Sequence, residues 1–247
     1  MNIRQYLDST YLKTPLQAGI TESESIQVAK EYIQEAISEH FKLIMIRPDR
    51  VALAKEMIDK AHSNVQIGTV IGFPEGTASI EEKLKEANQA IQDGADDLDF
   101  VCNYEAFKNG DVALVKNEIL AGTALGLKNN KVVKWIIEVA ALNETQIIQL
   151  SALIKNIVIS NFEEEDYASV FVKSSTGFYK TENNLPNGAT VPTITLMLEN
   201  ASPLPVKAAG GVRTYEEAVE MIRLGVKRIG TSGAKAIANG ENTPIEY

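Results

Sequence analysis

Two lysines at the ends of apolar runs are the residues in this sequence best suited to covalent chemistry. Lys173 follows Ser169–Val172 and Lys207 follows Val206, and each leads into a turn of small residues. A lysine inside an apolar strand is costly unless it is paired or neutral, and a lone one would more often face water from an edge strand. A neutral lysine attacks carbonyl carbons to form imines, and its pKa falls when it is desolvated beside another cation. The pair therefore indicates imine chemistry, with Lys173 as the nucleophile and Lys207 as the nearby cation.

Two aspartates are candidate proton carriers. Asp97 and Asp99 alternate with Leu98 and Phe100, so both carboxylates lie on one face of a predicted strand. Buried carboxylates need partners, and a buried lysine is a suitable one. We interpret Asp97 as a structural ion-pair partner. Asp99 lies nearer the C-terminal end of the strand, so we interpret it as the functional carboxylate.

Small polar turns follow several of the apolar runs and could hold an anion. They are Ser174–Gly177, Gly210-Gly211 and Gly230–Gly233, with Arg213 close to the second. Backbone amides in such turns bind phosphate well, and barrels often bind it after their seventh and eighth strands. The turns therefore predict a phosphate site at the end of the chain's strand series.

The elements that must position these residues are short β-branched runs separated by amphipathic helical patterns. Such alternation is typical of βαβ units and a parallel sheet. Seven runs are clear, and Leu7–Tyr11 makes an eighth, which would close a barrel, whereas seven would leave an open doubly wound sheet. The seven are Leu43–Ile46, Gln66–Ile71, Asp97–Val101, Val132–Val139, Ser169–Val172, Val206–Ala209 and Lys227–Gly230. We predict an α/β fold, a (β/α)8 TIM barrel with a short extra N-terminal helix. Residues 1–247 would form a single domain, with a poorly ordered tail after about Gly240.

Composition excludes several functional classes. A formal net charge of −9 argues against nucleic acid or an anionic membrane as the main partner. Cys102 is the sole cysteine, so no intrachain disulfide can form. No signal-peptide run or spanning segment is present, and His and Cys are not clustered at metal-ligand spacing. We expect a cytoplasmic protein with no metal and no cofactor.

Several segments carry a resemblance to the deoxyribose-phosphate aldolase family, which forms Schiff bases. Phe171–Phe178 resembles the family's imine-forming motif, and Val206–Thr214 resembles its second-lysine motif. Gly94–Asn103 is similar to the strand that carries the family's proton-relay aspartate, and Val70–Gly76 and Arg228–Gly233 are further matches. The resemblance runs in order from about Leu7 to Ala238.

The resemblance implies cleavage of 2-deoxy-D-ribose 5-phosphate to D-glyceraldehyde 3-phosphate and acetaldehyde, with a role in deoxyribonucleotide sugar catabolism. Lys173 would form the imine, Lys207 would perturb it and move protons, and Asp99 would relay protons with Lys207 through bound water. The phosphate contacts implied are Gly177, Gly210, Gly211, Ser232 and Gly233. The family also suggests a homodimer. A metal is not needed, because a protonated imine is itself an electron sink.

Some positions depart from the family's pattern, and some residues compete with those chosen. Arg47 adds charge near the barrel mouth, and Gly233 stands where a second serine is common. Lys134 also lies in a strand run and is a rival for the imine role, although no small-residue turn follows it. Glu138, near the end of that run, is expected to line the site as the partner of a lysine. Cys102 is expected to be a buried small hydrophobe.

Two other functions fit the same residues. One is an imine-forming barrel aldolase that acts on a different phosphorylated sugar. The other is a catalytically silent barrel that only binds a phosphorylated metabolite, although such a barrel would have no reason to keep three costly buried charges.

Overall fold

Eight parallel strands, joined in chain order by helices, close into a barrel. The computed structural model describes residues 1–182 and 185–241, and these strands lie within them. They are β1 (Leu7–Tyr11), β2 (Leu43–Ile46), β3 (Gln66–Ile71), β4 (Asp97–Val101), β5 (Val132–Ile136), β6 (Val170–Lys173), β7 (Val206–Ala209) and β8 (Arg228–Thr231). Strand β1 pairs with β8, which completes the ring. The predicted (β/α)8 barrel is confirmed.

Helices surround the barrel. They are α1 (Pro15–Ala18), α2 (Glu22–Glu39), α3 (Val51–Lys60), α4 (Ile80–Gln92), α5 (Tyr104–Lys108), α6 (Val112–Lys128), α7 (Glu144–Asn161), α8 (Val191–Ala201), α9 (Tyr215–Leu224) and α10 (Ala234–Asn239). The predicted N-terminal helix is a single 3-10 turn, Ile3–Tyr6. Helices α2, α4 and α9 begin at capping boxes, in which Thr21, Ser79 and Thr214 each accept a hydrogen bond from the third helical amide.

The predicted bounds of β5 are wrong at its C-terminal end. The strand stops at Ile136 rather than Val139. Glu138 takes left-handed backbone angles, with φ 53° and ψ 68°, and the chain then enters a 3-10 turn over Val139–Ala141. The apolar run continues through this turn because Val139 is also buried, so hydrophobicity alone did not mark the strand's end.

The main core lies between the barrel and its helices. Trp135 packs there: its ring stacks on Phe100 at 4.9 Å, and its Nε1 donates to Thr123 of α6 at 2.9 Å. Inside the barrel the two sides differ. Apolar side chains from β2 and β3, such as Leu43 and Met45, fill one side, whereas buried charged side chains from β4 to β8, together with Asp8 of β1, fill the other. The buried charges therefore lie on six adjacent strands, β4 to β8 and β1.

None of the helices in the described part of the chain combines the length and apolar content that a membrane span requires. The single-domain assignment remains a prediction. The tail beyond residue 241 lies outside the described residues.

Candidate active site

The three residues predicted to carry the chemistry meet inside the barrel. Asp99 Oδ2 accepts hydrogen bonds from Lys173 Nζ and Lys207 Nζ, each at 2.9 Å. Lys173 and Lys207 lie in register on the adjacent strands β6 and β7. Asp99 and Lys207 are fully buried, and Lys173 is 3% exposed. One carboxylate oxygen therefore bridges the two lysines that the sequence singled out.

Lys134 occupies a different place from Lys173. Its Nζ donates to Asp99 Oδ1 at 2.8 Å and to Asp97 Oδ2 at 2.6 Å. It is fully buried on β5, where its register partner on β4 is Asp99. Two carboxylates thus hold Lys134 deep in the barrel, and Asp97 serves as an ion-pair partner, as predicted.

A second pair of charges closes the network on the other side of Lys207. Lys207 Nζ lies 2.6 Å from Asp8 Oδ2, and Arg228 Nε donates to Asp8 Oδ1 at 2.7 Å. Arg228 Nη2 also lies 3.3 Å from Asp97 Oδ2. Asp8 and Arg228 are buried, and each carboxylate of the network contacts more than one cation.

The network perturbs the pKa of Lys173 in the direction that a nucleophile needs. Burial lowers this pKa most, and Asp99 raises it, but the cation of Lys207 lowers it again, so that it falls from 10.5 to about 8. About one Lys173 in ten is then neutral at pH 7. Burial also acts on Lys134, but Asp97 and Asp99 outweigh it and raise the pKa of that lysine. Of these two lysines, Lys173 is the one whose pKa falls.

Asp99 and Asp8 remain ionised in spite of their burial. Burial raises the pKa of Asp99, but Lys134, Lys173 and Lys207 outweigh it and hold that pKa well below its ordinary value. The pKa of Asp8 is likewise lowered, because Arg228 and Lys207 outweigh burial. Asp99 can therefore accept a proton only when the charge around it changes.

A pocket opens from Lys173 to solvent at the C-terminal ends of β1, β6, β7 and β8. Barrel enzymes place their active sites at this end. Gly177, Gly210, Gly211 and Ser232 line it, as do Thr10, Phe178 and Asn187. Gly210 and Gly211 have φ values of 77° and 97°, which side chains other than glycine rarely adopt.

Gly233 does not line this pocket. It precedes α10 and borders a separate surface groove with Ser232. Its amide donates to Thr231 Oγ1 at 3.1 Å, so that amide already has an acceptor. Four of the five predicted phosphate residues therefore share a pocket with Lys173, and Gly233 borders the neighbouring groove.

Two other residues noted in the sequence, Arg47 and Cys102, make structural contacts. Arg47 donates from Nη1 to the Leu12 carbonyl at 3.3 Å, and its guanidinium lies 5.8 Å from the centre of the Phe73 ring. Cys102 is buried, as predicted, and burial raises the pKa of its thiol well above the ordinary value.

The expectation that Glu138 partners a lysine is wrong, because its carboxyl hydrogen-bonds Ser175 and Thr176 instead.

Three residues of the site were not predicted from the sequence: Asp8, Arg228 and Asn187. The charged residues Asp8 and Arg228 lie at inward positions of β1 and β8, so strand alternation was a usable signal for both. Their pairing depends on closure of the barrel, which brings residues 220 positions apart within hydrogen-bonding distance. Asn187 belongs to a polar segment, and composition gave no sign that it lines the pocket.

The chain is similar to known proteins over nearly its whole length. The sequence matches the DeoC/LacD family aldolase model over residues 5–240. A deoxyribose-phosphate aldolase of Thermococcus gammatolerans is 38% identical over 241 residues, covering 97% of this chain and 96% of its own. One of Caldicellulosiruptor saccharolyticus is 36% identical over 240 residues, covering 96% of this chain and 97% of its own. A tetrameric deoxyribose phosphate aldolase structure from Aeropyrum pernix superposes with a TM-score of 0.74 at 26% identity, covering 96% of this chain and 89% of that one.

Proposed function

This chain belongs to the DeoC/LacD family of aldolases, and from that premise we propose that it cleaves 2-deoxy-D-ribose 5-phosphate reversibly into D-glyceraldehyde 3-phosphate and acetaldehyde. Its relatives at 34–38% identity over nearly the whole chain are named deoxyribose-phosphate aldolase. The biological role we propose is breakdown of the sugar of deoxyribonucleotides.

The observation that carries the proposal is the single oxygen of Asp99 that bridges Lys173 and Lys207 at 2.9 Å from each. The arrangement supplies a lysine with a lowered pKa, a second cation and a carboxylate within one proton-transfer distance. Lys173 is also the lysine of the network that lines the pocket. These features support an imine on Lys173 rather than on Lys134.

The proposed reaction begins when neutral Lys173 attacks the aldehyde carbon of the open-chain sugar. Loss of water gives a protonated imine, which accepts the electron pair released when the bond between the second and third carbons breaks. The hydroxyl on the third carbon loses its proton and becomes the aldehyde of the three-carbon product. The remaining enamine takes up a proton at its second carbon, and hydrolysis releases acetaldehyde and Lys173. In this scheme Asp99 and Lys207 move the protons through bound water.

The phosphate of the substrate would bind at the pocket's outer end. Gly210 and Gly211 follow β7 and Ser232 follows β8, where barrels commonly bind phosphate. Gly177 follows β6 and completes this rim. We do not include Gly233, because its amide is already engaged by Thr231.

Borohydride trapping with acetaldehyde, followed by peptide mass spectrometry, tests the proposal. We expect one reduced adduct, on Lys173, and none in the Lys173→Met variant, which should also lose turnover. Lys85→Met, the same substitution at an exposed position on α4, is the matched control and should keep both. An adduct on Lys134 or Lys207 would contradict the role assignment. Absence of any adduct would favour a barrel that only binds a phosphorylated metabolite.

Comparison of substrates separates the remaining alternative. Turnover of deoxyribose 5-phosphate should exceed that of other phosphorylated aldoses and ketoses. Trapping at Lys173 with preferred turnover of another phosphosugar would keep the imine chemistry and overturn the substrate.

We also propose that the chain forms a homo-oligomer, a dimer or a larger assembly, because a related structure is tetrameric. Sedimentation equilibrium measures the assembly directly, and a monomer at micromolar concentration would refute this proposal.

A further inference from the structure

A buried carboxyl group lies on the far side of the turn that follows Lys173. Glu138 comes two residues after β5, adopts left-handed backbone angles, and is 1% exposed. Its backbone neighbour Val139 donates its amide hydrogen to the Ser174 carbonyl at 2.9 Å. The side chain of Glu138 is therefore directed at the turn Ser174–Gly177, which connects Lys173 to the proposed phosphate rim.

Each oxygen of this carboxyl group has close partners. Oε2 accepts the Thr176 amide at 3.1 Å and also contacts Thr176 Oγ1. Oε1 lies 2.8 Å from Ser175 Oγ. That hydroxyl in turn lies 2.6 Å from the Asn187 carbonyl oxygen and accepts the Gly177 amide at 2.9 Å.

The hydroxyl groups of Ser175 and Thr176 have too few protons for these contacts. Three oxygen–oxygen contacts need a proton: Glu138 to Ser175, Ser175 to Asn187, and Glu138 to Thr176. The two hydroxyls supply one proton each, and a carbonyl or an ionised carboxylate supplies none. Two oxygens 2.6 to 2.8 Å apart with no proton between them repel each other. The third proton must therefore belong to Glu138.

We propose that Glu138 is a positioning residue that works as a neutral carboxylic acid. Its Oε1 donates a hydrogen bond to Ser175 Oγ, and Ser175 donates one to the Asn187 carbonyl. This series of hydrogen bonds holds the substrate pocket in shape. The assignment satisfies every valence: Ser175 Oγ then donates once and accepts twice, and Thr176 donates its hydroxyl proton to Oε2. Ionisation of Glu138 would leave one of the three contacts without a proton.

Asn187, the last acceptor in this series of hydrogen bonds, is part of the pocket wall. Asn187 lines the pocket, and its Nδ2 donates to the Gly177 carbonyl at 3.2 Å. The next residue, Gly188, lies so close to β7 that an added Cβ would come within 2.4 Å of the Ala209 carbonyl oxygen. A shift at Asn187 would therefore move residues on both the β6 and β7 sides of the proposed phosphate rim.

A neutral acid also suits the charges of the site, an argument that rests on the proposed function. An ionised Glu138 would repel a phosphate group bound beside Gly177. It would also favour the protonated form of Lys173, which is the unreactive form, because opposite charges stabilise each other. The charged or titratable groups around it are Lys173 on β6, Tyr104 on α5 and, beyond Tyr104, Glu75, Glu105 and Tyr179.

The pKa of Glu138 is raised by burial, which agrees with the proton count, although its hydrogen bonds and Lys173 lower it in part. Glu118 is a useful contrast. Burial raises its pKa as well, but its partners are all donors: Lys83 Nζ at 2.6 Å and the Asn103 amide at 2.6 Å. No contact of Glu118 lacks a proton, so we expect it to be ionised.

Infrared difference spectra test the protonation state without reference to activity. At pH 7 the spectrum of wild type minus Glu138→Gln should contain the carbonyl band of a protonated carboxylic acid. The spectrum of wild type minus Glu118→Gln should contain carboxylate bands only. Loss of carboxylate bands alone in Glu138→Gln would overturn the proposal. This result does not depend on the substrate, whereas the proposed function fails if Lys173 gives no borohydride adduct.

Substrate affinity tests the positioning role. Glu138→Leu should raise KM for deoxyribose 5-phosphate about tenfold, as expected for loss of one well-placed hydrogen bond. Glu138→Gln keeps a donor at one position and an acceptor at the other, so it should rescue most of that loss. The KM of wild type divided by the KM of Glu138→Gln should increase as the pH is raised through the pKa of Glu138, since only wild type can ionise at this position. A constant ratio across the pH range, or no rescue by Gln, would contradict the role.

Ser175→Ala gives an independent test by removing the hydroxyl that requires the extra proton. Without Ser175 the remaining contacts of Glu138 all come from donors, so its pKa should fall and the acid band should weaken at pH 7. Retention of the full band in Ser175→Ala would show that the proton is held for another reason.

Discussion

Removal of the charge of Lys207 gives the sharpest test of how the pKa of Lys173 is set. Lys207 is fully buried, and its Nζ contacts Asp99 and Asp8. The Lys207→Met variant keeps the length of the side chain and removes its cation. We expect the pKa of Lys173 to rise in this variant, because one cation fewer would then compete for Asp99.

The structure sets the size of this effect. Lys173 Nζ and Lys207 Nζ each lie 2.9 Å from the same oxygen of Asp99, so they are at most about 5.8 Å apart, twice that distance. Two unit charges at this separation repel by about 3 kcal/mol at an effective dielectric constant of ~20. That energy corresponds to about two pKa units. The pKa of Lys173 should therefore rise from about 8 towards about 10.

Imine formation at pH 7 should slow in proportion to the neutral fraction of Lys173. That fraction falls from about one in ten to about one in a thousand, which predicts a loss of about a hundredfold. The rate of borohydride-trapped adduct formation on Lys173 should recover tenfold for each pH unit up to about pH 10. Measuring trapping instead of turnover separates this effect from any loss of proton transfer by Lys207.

Lys85→Met is the control, because it removes an exposed charge on α4 by the same substitution. It should leave the pH profile of trapping unchanged. If Lys207→Met still gave a trapping midpoint near pH 8, burial alone would set the pKa of Lys173 and the argument from charge repulsion would be refuted.

Two further predictions concern stability. The pKa of Lys173 is about 8 in the fold and 10.5 ordinarily, so the unfolded chain binds more protons between these values. The free energy of unfolding of wild type should rise across this pH window by up to ~3 kcal/mol relative to that of Lys173→Met. Urea denaturation at a series of pH values measures both free energies, and an identical dependence on pH in the two proteins would contradict the prediction. Lys83→Met would leave Glu118 buried without its cation, which should destabilise the fold by about 3–5 kcal/mol. The double variant with Glu118→Gln should regain most of that loss in the same assay, and equal stability of the single and double variants would refute the pairing.

Much of the fold could be predicted because the strands have a strong local signal. The bounds of β2, β3, β4 and β7 agree with the apolar runs, since parallel strands buried on both faces are continuously apolar. The signal fails where a buried residue lies outside a strand. Val139 is buried in a 3-10 turn, and the left-handed backbone of Glu138 that ends the strand has no marker in the sequence, because glycine or asparagine would be the usual residue there.

The grouping of Asp99, Lys173 and Lys207 could be predicted for a related reason. Alternation along a strand tells which side chains share a face, and parallel strands bring their C-terminal ends together. The contacts of Asp8 and Asn187 could not be predicted in this way. Asp8 meets Arg228 only when β1 pairs with β8, and Asn187 reaches the pocket through a polar segment whose path is set by the packing of Gly188 against β7.

The distribution of carboxylates favours Lys173 as the lysine that becomes neutral. The network contains four cations and three carboxylates, so with every group charged it carries one excess positive charge. Three of the cations each contact two carboxylates: Lys134, Lys207 and Arg228. Lys173 forms an ion pair with Asp99 alone among the described residues. Loss of a proton from Lys173 therefore restores the balance and breaks the fewest ion pairs, and the same side chain lines the pocket. A lysine that gained a second carboxylate partner would lose this property, so an acidic residue introduced beside Lys173 should suppress trapping more than one introduced beside Lys134.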